Sequence, residues 1–274
     1  MLIKILVENH SESEEYGCEH GLSLYVEDGD YKLLFDVGAS GLFHKNAKKM
    51  GIKTSEIDFL VISHGHDDHG GGLKAFLNEN SKAEIYLHRQ AFGKFYILRS
   101  NNNIDYIGID DKLKDNQQLI YTSDRFFVND KMQLFSNVPE IEPKPILNRA
   151  LLVEKEGDLV NDTFEHEQYL VIDSGDKVVL MTGCAHNGII NVIEHFKKLR
   201  GRVPDYIIGG FHLSNKSQTN TESESMVEKI GTYLMSTGGK FYTCHCTGQE
   251  PFDQLKAMMG DQIEYITVGT TIEI

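Results

Sequence analysis

The stretch Ser63-His64-Gly65-His66-Asp67-Asp68-His69-Gly70-Gly71-Gly72 constrains this chain more than any other. Histidines and aspartates crowd into it directly after the apolar run Phe59-Leu60-Val61-Ile62. Buried imidazoles and carboxylates without partners are costly, so such a cluster at a strand end is best organised by a divalent metal. His64 and His66 stand two apart and face the same way on an extended backbone. Asp68 and His69 follow where the chain turns toward the glycines. The spacing offers two ligands to one metal and two to a second. Imidazole suits zinc, iron, copper and nickel, and a carboxylate adds a hard ligand. The bland alternative is a polar turn that happens to be rich in histidine.

Short apolar strands alternate with helical stretches on either side. Ile3–Val7, Leu22–Glu27 and Lys32–Asp36 read as strands, with Asp28-Gly29-Asp30 as a hairpin turn. Residues 40–50 read as a helix, Phe59–Ile62 as a buried strand, Leu73–Leu77 as part of a helix and Glu84–His88 as a strand. From Tyr169 the alternation resumes: strands at Tyr169–Asp173, Val178–Met181, Tyr206–Ile208, Lys240–Thr243 and Ile263–Val268, helices at Asn187–Arg200 and from a capping box at Thr221–Glu224 to Ser236. Two halves of this kind fit two sheets sandwiched between helices. The less regular stretch 89–148, with a hairpin at Phe126–Phe135, reads as an insertion covering the active site of a single domain spanning 1–274.

The pattern H-x-H-x-D-H, with Glu19-His20-Gly21-Leu22-Ser23, Leu34-Phe35-Asp36-Val37-Gly38, Thr182-Gly183-Cys184-Ala185-His186-Asn187-Gly188, Gly209-Gly210-Phe211-His212-Leu213 and Cys244-His245-Cys246-Thr247-Gly248, resembles the metallo-β-lactamase-fold hydrolases. Within that superfamily it resembles the subgroup named for 7,8-dihydropterin-6-methyl-4-(β-D-ribofuranosyl)aminobenzene-5'-phosphate synthase. The resemblance implies an α+β fold, the four-layer αββα sandwich. It also implies two divalent metal ions, zinc first, with manganese or iron as alternatives. The ligand set His64, His66, Asp68 and His69 is then completed by His186, at a strand end, and by His245, where the superfamily keeps its last histidine ligand. Many relatives place a bridging aspartate near Cys184, so Cys184 is either a ligand or an inert buried thiol beside the metals. Cys244 and Cys246 read as small apolar packing around the His245 strand. His212 is expected to be catalytic or substrate-binding, as an alternative to completing the second metal shell, and Asp68 to be both ligand and catalytic residue. Asp36 is expected to orient a metal-bound histidine from behind. His20, Glu167, and the backbone N–H groups of Thr247 and Gly248 ahead of the Pro251 helix are expected to meet the substrate. His166 is expected at the surface; His10, His44, His88 and His195 are expected at the surface or packed on helices.

Lys plus Arg number 27 against 41 Asp plus Glu, a formal charge of −14. Such a chain is poorly suited to nucleic acid, and an anionic small molecule would be drawn to the metals rather than to the general surface. Four scattered cysteines do not make a disulfide scaffold. Neither a signal peptide nor a run of membrane-spanning length is evident, so a cytoplasmic protein without membrane contact is expected. Oligomeric state is left open. The expected chemistry is attack by a metal-activated hydroxide on a phosphate ester or related pterin-like or nucleotide-like metabolite. Lactone or thioester hydrolysis, iron-dependent redox chemistry, a synthase-like reaction and a non-catalytic binding role are the alternatives.

Overall fold

The apolar runs fill two seven-stranded sheets. The computed structural model describes residues 1–29, 31–216 and 220–274. The first sheet runs in the order Thr271–Glu273, Leu2–Val7, Ser23–Asp28, Tyr31–Phe35, Phe59–Ile62, Glu84–His88, Leu119–Thr122. The second runs Ile263–Tyr265, Lys240–Thr243, Tyr206–Gly209, Lys177–Met181, Tyr169–Ser174, Met132–Phe135, Arg125–Phe127. Ile3, Leu24, Phe35 and Val61 from the first pack against Leu134, Leu170, Val179 and Ile208 from the second. Each sheet buries its other face under helices. Leu42–Lys49 and Leu73–Glu79 cover the first through Phe43, Ala47, Leu73 and Phe76. Ile189–Arg200, Glu224–Thr237 and Gln249–Met259 cover the second through Ile193, Phe196, Leu234 and Leu255. The result is the expected αββα sandwich.

Phe59–Ile62 lies parallel between Tyr31–Phe35 and Glu84–His88, with Leu60 opposite Leu34 and Ile85. Covered on both faces, it reads as a continuous apolar run rather than an alternating one. Lys177–Met181, Tyr206–Gly209 and Lys240–Thr243 are likewise parallel neighbours, so their carboxyl ends open on one side of the sheet.

Several expectations shift. The stretch 89–148 is divided rather than forming one irregular insertion. Leu119–Thr122 closes the first sheet, and the hairpin Arg125–Phe127/Met132–Phe135 closes the second. Asn129 Oδ1 accepts the N–H groups of Lys131 and Met132 in the hairpin turn. Phe95–Leu98 and Ile104–Tyr106 instead join Leu151–Lys155 and Asp158–Asn161 in a separate four-stranded sheet. Its outer strands, Ile104–Tyr106 and Asp158–Asn161, are exposed throughout, so they carry no buried face to impose alternation. Ser223, not Thr221, caps the helix from Glu224, accepting the Met226 N–H. The last expected strand stops at Tyr265, and Thr271–Glu273 returns to pair with Leu2–Lys4. Of the expected turn at Asp28-Gly29-Asp30, Asp30 lies outside the described residues. No helix among the described residues is long and apolar enough to cross a membrane.

His88 was expected at the surface or on a helix, but it ends a strand and is only 2% exposed. Burial pushes its pKa down to about 4, because the charged ring would lose its hydration. The unfolded chain therefore binds a proton near pH 6.5 that the native state refuses until about pH 4, and stability falls as pH drops through that window. From pH 7 to pH 5, His88→Asn should lose about 2 kcal/mol less stability than the parent protein, read from urea midpoints at both pH values. Equal losses would show that His88 does not drive the acid sensitivity.

Candidate metal centre

The cluster forms where four strands end at their carboxyl termini and the chain leaves a rigid sheet for a turn. Phe59–Ile62 delivers Ser63, His64 and His66 on extended backbone, then a single helical turn, Asp67–Gly70, carries Asp68 and His69. From the second sheet come His186 after Lys177–Met181, His212 after Tyr206–Gly209 and His245 after Lys240–Thr243. Asp36, Ala185, His212 and His245 adopt left-handed φ of 61°, 54°, 51° and 53°. Non-glycine residues rarely take this conformation, and they cluster where a site demands it. The turns are tightly packed: a Cβ on Gly183 would lie 2.2 Å from Ser63 Oγ.

The candidate ligand atoms form two adjoining groups. Donor atoms of His64, His66 and His186 lie within 4.8 Å of one another. His64 Nε2 is 3.1 Å from His66 Nδ1, and His186 Nε2 is buried without a partner. In the second group, His69 Nε2 lies 3.2 Å from His245 Nε2 and 3.2 Å from Cys184 Sγ. Asp68 Oδ2 is 3.4 Å from His245 Nε2 and 3.3 Å from His20 Nε2. Ring nitrogens whose lone pairs face each other repel unless a proton or cation lies between them. Tetrahedral zinc with Zn–N bonds of about 2.0–2.1 Å places its ligands about 3.3–3.4 Å apart. The donor set thus fits divalent metal by both chemistry and spacing.

Partners behind the rings decide which nitrogen faces inward. Asp36 Oδ2 accepts from His69 Nδ1 at 2.7 Å and from the Ser63 hydroxyl at 2.7 Å. Ser63 Oγ then receives His64 Nδ1 at 2.9 Å. Asn9 donates to the His245 carbonyl at 3.1 Å and accepts from His245 Nδ1 at 2.9 Å. Asn148 grips His186 in the same manner, at 2.8 Å to the carbonyl and 3.0 Å to Nδ1. The rings of His64, His186 and His245 thereby carry their proton on Nδ1 and present the Nε2 lone pair to the centre, and that of His69 turns Nδ1–H to Asp36 and Nε2 inward. Burial holds the pKa of His245 and of His212 down at about 3, and those of His64 and His186 well below the usual range. His69 is the exception: burial lowers its pKa, but Asp68 and Asp36 outweigh that and bring it to about 9.

The structure thus brings together His64, His66, Asp68, His69, His186, His245, Cys184, Asp36 and His20. His212 joins them, its ring 4.1 Å from that of His186 and both nitrogens without a protein partner. Cys244 lies in the core between the sheets, and Cys246 Sγ accepts the His212 N–H at 3.3 Å.

Three expectations fail. His166 is 2% exposed rather than on the surface; Nδ1 accepts the Gly65 N–H and Nε2 donates to Asp162. Glu167 is fully buried and does not line a pocket: its oxygens accept the N–H groups of His186 and Asn187 and the Tyr169 hydroxyl, shaping the turn that carries His186. Thr247 is also fully buried: its N–H donates to the Cys244 carbonyl, its Oγ1 accepts the Phe211 N–H, and its hydroxyl donates to Thr243 Oγ1, whose own hydrogen goes to the Gly209 carbonyl, so it has no donor left for a phosphate. Gly248 is buried against Ser214, where a Cβ would lie 2.2 Å from the serine Cβ. Sequence reasoning missed Asn9, Asn148, Ser63 and Asp162. Only Ser63, beside His64, carried a signal.

The segment holding Asn148 is itself pinned down. Asn191 Oδ1 accepts the N–H groups of Ile141 and Glu142, Glu222 accepts that of Ile146, and Lys144 donates to the Thr163 carbonyl.

A profile of the metallo-beta-lactamase superfamily matches residues 16–196. The chain belongs to this superfamily. An uncharacterized protein of Methanocaldococcus jannaschii is 29% identical over the whole of both chains. The 7,8-dihydropterin-6-methyl-4-(beta-D-ribofuranosyl)-aminobenzene-5'-phosphate synthase of the same organism is 26% identical, covering 94% of this chain and 91% of its own. Among solved structures, a metal-dependent hydrolase of the beta-lactamase superfamily superposes with a TM-score of 0.85 at 29% identity, covering 100% of this chain and 99% of that one.

Removing one outer clamp should weaken metal retention without disturbing the core. Asn9→Ala is expected to bind zinc about 10–100-fold more weakly in chelator competition. Unchanged affinity would mean that Asn9 does not orient His245.

Proposed function

We propose that this superfamily member is a metal-dependent hydrolase acting on a phosphate ester or related anionic metabolite, pterin-like or nucleotide-like, in the cytoplasm. The observation that carries this reading is the pair of adjoining donor groups, one all imidazole and one mixed. His64, His66 and His186 would hold one ion, and Asp68, His69, His245 and Cys184 the other. Divalent zinc or manganese bound there supplies Lewis acidity and a water of near-neutral pKa.

The chain's own groups do the rest. Asp68, with Oδ2 at the meeting point of His20 and His245, accepts a hydrogen bond from the attacking water and orients it. His212, whose nitrogens are committed to no protein group, donates to the oxygen on which charge grows. His20 is part-exposed beside Asp68 and faces the incoming anion. The acidic balance of the chain gives an anion no general attraction, which leaves recognition to the site. Similarity to a synthase named for a pterin-linked phosphate supports that substrate class, and similarity to a metal-dependent hydrolase supports the reaction type.

Protein purified without added metal or chelator should carry about two zinc or manganese ions per chain by elemental analysis. Iron would redirect the search to redox substrates, and no metal even after reconstitution would overturn the reading. In a phosphate-ester screen, His69→Ala should lose both metal and turnover. His212→Ala should keep its metal and lose about 10²–10⁴ in kcat. Full turnover by His69→Ala would end the hydrolase proposal.

A further inference from the structure

His66 is held differently from the other rings of the cluster. His64, His69, His186 and His245 anchor Nδ1 and turn Nε2 inward, whereas His66 turns Nδ1 inward, 3.1 Å from His64 Nε2. Its own Nε2 is buried with no hydrogen-bond partner. Asp162 Oδ2 lies 3.9 Å from that nitrogen, and the Asp162 side chain is 3% exposed. The other contacts of this carboxylate are settled. Oδ1 accepts the Phe164 N–H at 2.8 Å, and Oδ2 accepts from His166 Nε2 at 2.9 Å. His166 must donate through Nε2 because its Nδ1 accepts the Gly65 N–H at 2.9 Å. Among the described residues the ion pairs of Asp162 are with histidines alone.

We propose that Asp162 and His166 form a positioning dyad for His66: the carboxylate keeps the His66 proton on Nε2 and so leaves the Nδ1 lone pair for the metal. The proposal rests on the metal reading above and extends it to groups outside the ligand set. A neutral imidazole has one proton to place. On Nε2 it points at a buried carboxylate that only accepts. On Nδ1 it would lie between His66 and His64, in the place a metal would take, and leave the bare Nε2 only 3.9 Å from the carboxylate, two charge-rich atoms with no proton between them.

His166 is the second arm. It fixes Asp162 on one side and the Gly65 N–H, between the two ligands His64 and His66, on the other. That backbone has little freedom, since a Cβ on Gly65 would lie 2.3 Å from the Ala91 carbonyl oxygen. The Phe95 ring, 4.0 Å from His166 between centroids, seats the imidazole. With both nitrogens engaged, His166 is no ligand; it acts through Asp162 and Gly65. One buried pair thus controls both the tautomer of His66 and the path of the chain through the ligand motif.

The test begins with metal-free protein labelled with ¹⁵N in its histidines. Long-range ¹H–¹⁵N spectra of the parent should show His66 as the Nε2–H tautomer. In Asp162→Asn the carboxamide offers N–H groups where the carboxylate accepted, so His66 should move toward the Nδ1–H form. Chelator competition should show zinc bound about 10–100-fold more weakly by Asp162→Asn and Asp162→Ala, with partial recovery in Asp162→Glu. Thermal melts of the metal-free variants identify any that fail to fold, and the parent spectrum decides the matter even if all of them do. His66 found as Nδ1–H in the parent, or folded Asp162→Asn binding zinc as tightly as the parent, would overturn the dyad. A parent that shows the Nε2–H tautomer yet binds no zinc would support tautomer control while refuting the metal reading.

Discussion

Five inward-facing ring nitrogens, a thiol and a carboxylate share one small buried volume, and their mutual repulsion is the constraint around which the rest of the molecule is arranged. Nitrogen pairs stand 3.1–3.2 Å apart, closer than lone pairs tolerate without a proton or a cation between them. A soft scaffold would let the rings drift apart and fill their nitrogens with water. This scaffold is stiff for reasons visible in its sequence. Apolar strands covered on both faces meet across a dry interface, and helices pack the outer faces. Their carboxyl ends converge, and the turns after Phe59–Ile62, Lys177–Met181, Tyr206–Gly209 and Lys240–Thr243 all carry histidines of the cluster. Residues such as Ala185, His212 and His245 hold left-handed backbone there, a local cost that the packed sheets sustain.

What could be read from the chain follows that logic. The HxHxDH cluster was legible because its chemistry is concentrated in a few consecutive residues after a recognisable strand. That His186 and His245 join it was legible from their strand ends and from the resemblance to the superfamily. Asn9 and Asn148 were not, since their partners lie 236 and 38 positions away and an isolated asparagine looks like any turn residue. Glu167 and Thr247 misled for the opposite reason. They sit in motif-bearing segments, yet they face the supporting backbone, and only the direction of the side chain separates the two roles. His166 reads as a surface residue in the sequence because nothing local announces that Gly65, 101 positions earlier, supplies its partner. The exposed strands of the small sheet had no buried face to mark them, whereas the core strands stood out as continuous apolar runs.

The outer partners are of two kinds. Asp36 and Asp162 are buried carboxylates, which place negative charge behind His69 and near His66. Asn9, Asn148 and Ser63 are neutral and fix direction without adding charge. At the ring nitrogens the support is therefore uneven: carboxylates stand beside the rings of His69 and His66, while those of His186 and His245 are held by neutral amides, with Glu167 and Glu8 taking only the backbone N–H groups of those two residues.

Asn148 belongs to a segment tied to the helix Ile189–Arg200 through Asn191 and to the start of the helix Glu224–Thr237 through Glu222. The amide that orients His186 is therefore carried on a strap lying over the second sheet's helices. Whatever displaces that strap also frees the His186 ring. By thermodynamic reciprocity, a molecule that settled the strap would tighten a metal held by His186 by the same factor by which that metal would tighten the molecule. Occupancy of the centre and the posture of its cover would then be a single equilibrium, written in two places along the chain.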